Sequence, residues 1–246
     1  MIDIKNWRHL QDDITTDSLW ISNLSTKNRP LFIIPKRDFL PANDPEFHGL
    51  FIPEIPYQFI KRFLPENGLI WDCFGGSGTT YKVSKYLNER CILTDLNPRK
   101  DYIKEGDAVN YTLAEKADLV FCHPPYHNII VYSDDPRDGS NQGSIDNFLN
   151  WIELVANNIY ANTKKGSIVI LVLGNLYADG EEKTLGVWAK DRFCKDKKFK
   201  CKSHIIKDYG ETKGTDGKNY NLNYYRQLKG GYNNFYGDNI FILKRN

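Results

Sequence analysis

The spacing of apolar and polar positions changes along this chain, and the last change sets the fold. Residues 19–40 hold short apolar pieces, SLWI and PLFIIP, broken by Asn, Ser, Lys and Pro, a pattern of extended segments and turns. After Pro53 and Pro56, YQFIKRFL places Phe59, Ile60 and Phe63 on one side of a short helix that Pro65 and Gly68 end. Beyond that point short apolar runs alternate with helical periods. LIWD at 69–72, RCILTD at 90–95, ADLVFC at 117–122 and SIVILVLG at 167–174 read as strands. GSGTTYKVSKYLNE turns into a helix, and 145–163 is amphipathic, with Phe148, Ile152, Val155 and Ile159 at 3–4 spacing. A helix around 182–194, a strand near 203–207 and a final strand, NIFILKR, complete the series.

Strands alternating with helices predict an α/β architecture with a doubly wound, mostly parallel sheet, whose ligands lie outside the carboxyl ends of the strands. The loops after residues 72, 95, 122 and 174 are therefore expected to converge on one site. With 246 residues, 41% hydrophobic and 26% charged, the composition is that of a globular chain of one or two domains. No run approaches the roughly 18 apolar residues of a membrane helix. The first residues lack an apolar signal region, and five cysteines without a CxxC pair point to a reducing, cytoplasmic setting with no metal site and no membrane partner.

The sharpest local feature is WDCFGGSGTT. A strand ending in Asp72 runs into Gly75, Gly76 and Gly78, where bare backbone turns tightly and admits a ligand closely, and Thr79 or Thr80 opens the next helix. The Lys of a triphosphate-gripping loop is absent. Asp95 ends the next strand, 23 residues beyond Asp72, the spacing wanted of a carboxylate that accepts from ribose hydroxyls. Asp107, in EGDA, falls where a third strand ends and is placed to accept from an adenine amino group. Each acid alone reads as a strand-end turn; the ordered set predicts a nucleoside cofactor.

After ADLVFC comes HPPYHN. Two prolines fix the backbone and remove two donors, so the carbonyls before them are unspent, and Tyr126 adds a flat face beside them. That suits a planar base that has left its helix and points its amino group at carbonyls. His123 accepts from the same amino group when neutral, a common state for a ring with an unperturbed pKa of about 6.5.

These residues resemble the amino-methylating DNA methyltransferases, which use S-adenosylmethionine to methylate the exocyclic amino group of adenine or cytosine. The family's DPFxGSGTT resembles Asp72 to Thr80, with Cys73 and Gly75 as substitutions, and its (Asp/Asn/Ser)-Pro-Pro-Tyr resembles His123, Pro124, Pro125 and Tyr126. FHGLFIPEIPYQFIKRF at 47–63 resembles the segment around the methionine end of the cofactor; LTDLNP, EGDA, KKGSIVILVLGN and GDNIFILKR resemble later parts of the same fold. The resemblance implies a seven-stranded, Rossmann-like class I methyltransferase domain over 47–246, with 1–46 as an extension packed on it. It further implies a cofactor site of Phe51, Ile52, Pro53, Asp72, Phe74, Gly75, Gly76, Ser77, Gly78, Thr79, Thr80, Asp95 and Asp107, and catalytic residues His123, Pro124, Pro125 and Tyr126. His123 departs from the family's acceptor and leaves adenine, placed first, and cytosine both open. Ring-carbon methylation needs a cysteine after a proline, whereas Cys122 precedes the motif.

Double-stranded DNA is the partner that this resemblance implies, in a site-specific, restriction-modification context, with a second protomer or a separate specificity subunit as further sources of contacts. The net charge of +2 gives no overall field for a polyanion, but Lys190 to Lys207 holds eight Lys/Arg against Asp191 and Asp196. Candidate DNA-reading loops are 127–147, with Tyr132 and Arg137, and 190–236, with Lys197, Lys198, Lys200 and Lys202 for phosphates and Arg226 and Asn233 for base edges. The aromatic stretch 208–237, which lacks a regular period, is expected to be a lid or binding surface. The alternatives are an RNA or protein amino methyltransferase and a non-catalytic nucleic-acid-binding subunit of the same fold.

Overall fold

The computed structural model describes residues 52–208, 229–231 and 237–246, together with the backbone of 19–21. One sheet organises them. Its strands are β1 (Leu19–Ile21), β2 (Leu69–Asp72), β3 (Arg90–Asp95), β4 (Ile103–Glu105), β5 (Ala117–Cys122), β6 (Thr163–Leu173), β9 (Phe199–Asp208) and β10 (Gly237–Arg245), while β7 (Leu176–Ala178) and β8 (Glu181–Lys183) form a separate hairpin. The helices are α1 (Glu54–Phe63), α2 (Thr79–Tyr86), α3 (Ile145–Ala161) and α4 (Leu185–Cys194).

The strand order is β1-β9-β10-β6-β5-β2-β3-β4, with β10 antiparallel to both neighbours and every other pairing parallel. The expected seven strands are all present. An eighth, β1, lies in the SLWI segment read as extended and joins the sheet edge at Leu19↔Ile206, a pairing that no local pattern encodes. Nor did the sequence pattern predict the β7–β8 hairpin, whose apolar positions are confined to Leu176–Ala178 while Glu181–Lys183 is charged throughout.

Alternation along the central strands assigns side chains to the two faces. Val169, Leu171 and Leu173 of β6 pack with Phe148, Ile152, Val155 and Ile159 of α3 and with Leu185, Ala189 and Phe193 of α4. Ile168, Ile170 and Val172 point the other way and join Ile55, Phe59 and Ile60 of α1 and Val83 of α2. Apolar side chains on both faces exclude water from both, so β6 reads as a continuous apolar run. The order reverses between β2 and β5: the chain builds outward through β3 and β4, then returns to place β5 on the other side of β2. That reversal opens a crevice beyond the carboxyl ends of β2 and β5.

Candidate active site

Two short segments flank the crevice. β2 and β5 are in parallel register, Asp72 opposite Phe121, and the Cys73 amide donates to the Phe121 carbonyl at 3.2 Å. Glycine loop and His-Pro-Pro-Tyr segment, 50 residues apart in sequence, thus leave the sheet side by side.

The glycine loop is fixed by amides. Gly75 N donates to Thr94 O at 2.9 Å, Gly78 N to Gly75 O at 2.8 Å and Gly76 N to Asp95 Oδ2 at 2.8 Å. Gly78 has φ +81°, and a Cβ there would lie 2.4 Å from the Tyr102 hydroxyl, so this position needs glycine for its backbone and for its neighbour. Tyr102 in turn stacks on Tyr81 of α2, with centroids 4.2 Å apart. Ser77, Thr79 and Thr80 are buried where the loop enters α2, and the Ser77 and Thr79 hydroxyls are 3.2 Å apart.

Asp72 ends β2, Asp95 ends β3 two residues beyond Leu93, the partner of Asp72, and Asp107 follows two residues after Glu105, the partner of Asp95 at the end of β4. Asp72 is 5% exposed, and burial pushes its pKa up to about 6, with the nearby Asp95 charge adding to the rise and the Phe74 amide opposing it. Asp95 accepts one amide on each oxygen, from Gly76 at 2.8 Å and Asn97 at 2.9 Å. Asp107 Oδ1 accepts from Val109 N at 2.9 Å. A carboxylate oxygen has two acceptor positions, so Asp95 can hold its loop and still receive a hydroxyl. This donor and acceptor set fits a nucleoside with a ribose diol. Ile52 and Pro53 are buried at the start of α1, where their carbonyls accept from Ile55 and Tyr57. Phe51 lies outside the described residues, as do Arg226, Asn233 and the tyrosines of the aromatic stretch.

The other wall begins at His123. Its Nε2 is 2.9 Å from the Tyr126 hydroxyl, which donates to Asp238 Oδ1 at 2.7 Å; Asp238 Oδ2 accepts from Lys207 Nζ at 3.1 Å. Burial lowers the His123 pKa to about 4, Asp238 opposing the fall and Lys207 adding to it. The ring is therefore neutral throughout the physiological range, a larger departure than an ordinary histidine shows. Tyr126 packs against Gly174, where a Cβ would stand 2.7 Å from ring atom Cε2. His127 follows with φ +52°, a left-handed turn that seats its ring edge-on to Phe148 at 5.6 Å. Phe148 stacks with Trp151, and Trp151 meets Phe74 at 5.8 Å. Phe148 and Trp151 on α3 thus form a shared platform, with the glycine loop's Phe74 on one side and His127 on the other.

Sequence reasoning missed Asp238 and the position of Gly174. The available signal was the Gly-Asp-Asn that opens the last strand. Lys207, the last member of the basic run, is buried directly opposite Asp238 in the β9–β10 register. The remainder of the basic run lies elsewhere. Phe199 pairs with Arg245, at the far end of β10 from Asp238, so Lys197, Lys200 and Lys202 lie at the amino end of the parallel sheet, away from His123. Lys190, Arg192, Lys195 and Lys198 are paired with Asp191, Glu153, Glu153 and Asp196. In the 127–147 loop, Arg137 forms a fork with its own neighbour Asp135, and Asp138 accepts from Ser133 and Ser140. That loop is internally tied. Cys122 is 0% exposed and Cys73 1%, so neither thiol meets the crevice.

No helix of the described residues is long and apolar enough to cross a membrane. Among those residues no group of three His, Cys, Asp or Glu is placed to hold a metal.

Strand order, reversal point and glycine loop define a Rossmann-like class I methyltransferase fold. Residues 6–105 match the DNA methylase family model for amino-methylating enzymes. The match spans the glycine loop and Asp95 and stops before His123. A search of curated proteins finds no match. The crystal structure of TrmN from Thermus thermophilus is similar with a TM-score of 0.51 and 12% identity over 84% of this chain and 52% of that one. The chain thus spans about half the length of that TrmN chain. An S-adenosylmethionine-dependent methyltransferase from Clostridium acetobutylicum gives a TM-score of 0.45 at 12% identity, covering 78% of this chain and 89% of that one. The O-methyltransferase of a trans-AT PKS multienzyme from Brevibacillus brevis, solved with S-adenosyl-L-homocysteine, also gives 0.45 at 12% identity, with coverages of 79% and 72%.

Proposed function

We propose that this chain is an S-adenosylmethionine-dependent DNA amino methyltransferase that acts on the exocyclic amino group of a flipped-out adenine, with cytosine as the second candidate. One observation carries the reading: the β2–β5 register brings the glycine loop and the His-Pro-Pro-Tyr segment to one crevice. The DNA methylase match over residues 6–105 supports DNA as the substrate.

S-adenosylmethionine, when bound, supplies a methyl group already activated on a sulfonium. Asp95 would hold its ribose hydroxyls, Asp107 the adenine amino group, and the Gly76–Gly78 backbone would sit close beneath it. What remains for the protein is to present a poorly nucleophilic amine in line, about 3–3.5 Å from that carbon. The neutral His123 ring and the Pro124 carbonyl accept from the amine's two N–H groups as positive charge develops there. The outward part of the Tyr126 ring stacks the base, a contribution of about 1–3 kcal/mol.

The test is incubation of the chain with labelled S-adenosylmethionine and mixed DNA and RNA, followed by nucleoside analysis. Methyladenine in DNA is the expected product, and N4-methylcytosine selects the other base. Label in RNA or protein alone overturns the DNA assignment. Absence of any transfer, with cofactor bound, favours a non-catalytic subunit.

A further inference from the structure

The chain Lys207, Asp238, Tyr126, His123, buried at its first two members and half-buried at the other two, continues past the residues needed to touch a base. Every link has one direction. Lys207 Nζ has donors only, and its carboxylate partner Asp238 has acceptors only. Asp238 Oδ1, 2.7 Å from Tyr126, therefore receives the single phenolic proton. With that proton committed, the Tyr126 oxygen meets His123 Nε2 at 2.9 Å as an acceptor. A neutral imidazole has one N–H, and here it must sit on Nε2. The lone pair is left on Nδ1.

We infer that Lys207, Asp238 and Tyr126 act as positioning residues that lock His123 in its Nε2–H tautomer, so that Nδ1 is the acceptor facing the substrate amine. The second half of this statement rests on the amino-methyltransferase reading; the tautomer itself does not. In the family pattern the corresponding position is Asp, Asn or Ser, whose oxygen is an acceptor whatever its neighbours do. A histidine is an acceptor at a given atom only if its proton is held at the other one. The ion pair behind the motif, 6% and 7% exposed, supplies that hold through Tyr126.

The measurement is long-range 1H–15N NMR on the full chain labelled at histidine, with the His123 signals identified by their loss in His123→Asn. The expected wild-type pattern is a protonated Nε2 and an unprotonated Nδ1. Asp238→Asn brings an amide that can donate to the Tyr126 oxygen, turning the phenolic proton toward Nε2. The ring proton then moves to Nδ1, with methyl transfer falling at least tenfold and S-adenosylmethionine affinity holding within a few fold. Tyr126→Phe, which keeps the ring and removes the hydroxyl, gives mixed tautomers and serves if Asp238→Asn fails to fold. An Nδ1–H tautomer in the wild type, or an unchanged Nε2–H tautomer in folded variants, overturns the lock. No methyl transfer by the wild type on any acceptor overturns the role toward an amine, a failure separate from that of the tautomer.

Discussion

Lys207 and Asp238 face each other across β9 and β10 as a buried ion pair, Nζ to Oδ2 3.1 Å, at the carboxyl end of the sheet. Removing one partner takes the opposing charge from a buried ion pair. Lys207→Met alone should cost about 3–5 kcal/mol in urea unfolding, whereas Lys207→Met with Asp238→Leu should recover most of that loss. The double variant should fold and still lack methyl transfer, because Tyr126 no longer has its acceptor. Full activity in the folded double variant would separate the pair from the chemistry.

Asp95 has two tasks, clamping the Gly76 and Asn97 amides and receiving the ribose. Asp95→Ala removes both and should weaken S-adenosylmethionine binding at least tenfold, about 1.4 kcal/mol, in titration calorimetry. Asp95→Asn keeps one oxygen and should retain one of the two amide bonds. If its affinity drops as far as that of Asp95→Ala while its melting temperature is unchanged, the carboxylate contacts the cofactor directly. Unchanged affinity in both would remove Asp95 from the cofactor site.

Much of this site was legible because its parts are contiguous. Asp72 to Thr80 and His123 to Tyr126 each carry a backbone demand, tight turning or absent donors, that few residue types meet. The β6 run from Ile168 to Leu173 fixed a central strand by being apolar on both faces. Pairs made by register were not legible. Lys207 and Asp238 are 31 residues apart, and their meeting depends on the β9–β10 alignment, which no local pattern encodes. Along β9 the same strand period hid a second distinction: Lys207 points inward, whereas Lys200 and Lys202 stand exposed. A cluster of charge in sequence says nothing of which end of a strand each charge occupies.

Two groups whose charged forms are disfavoured by desolvation give stability a pH dependence of opposite sign. Asp72, raised to about 6, holds its proton more tightly folded than unfolded. Its contribution is complete below the unfolded pKa of about 3.9 and is lost as pH rises through about 6, a change of about 3 kcal/mol. Asp72→Asn, which keeps an acceptor for the Phe74 amide, should match the wild type near pH 4 and exceed it at pH 8. His123, lowered to about 4, binds its proton less tightly folded than unfolded, so its contribution is present above about 6.5 and lost as pH falls through about 4. Asp238, Tyr126 and Lys207 are the titratable groups of its network. Single-turnover methyl transfer should therefore stay level down to about pH 5.5 on the His123 account and fall only toward pH 4, with His123→Asn lacking that fall. An inflection near pH 6.5 that His123→Asn abolishes would show a solvated ring.

Gly174 tests the seat of Tyr126. A methyl group there would stand 2.7 Å from Cε2 and 3.0 Å from Cδ2 of the ring, and the two hydrogen bonds of the hydroxyl restrict how far the ring can yield. Gly174→Ala should cost about 1–3 kcal/mol by overpacking. It should also slow methyl transfer more than it weakens cofactor binding, since the glycine loop lies on another strand. Equal loss of both would mean that the two walls of the crevice move together.

The last prediction concerns which surface meets DNA. Lys197, Lys200 and Lys202 are exposed at the amino end of β9, and among the described residues β1 pairs with β9 at Ile206–Asp208, away from those lysines. Lys200 lies seven residue steps before Lys207 along β9, about 23 Å at strand rise, a long reach for a duplex whose target base sits at His123. Replacing Lys197, Lys200 and Lys202 together by Ala should leave the duplex Kd within about twofold. The slope of log Kd against log salt should also be unchanged, because each lysine that neutralises a phosphate in the wild type would take about 0.9 off it when replaced. A slope reduced by two or three such increments would place DNA along the amino end of the sheet, where only wrapping of the duplex or a second protomer reconciles it with the crevice.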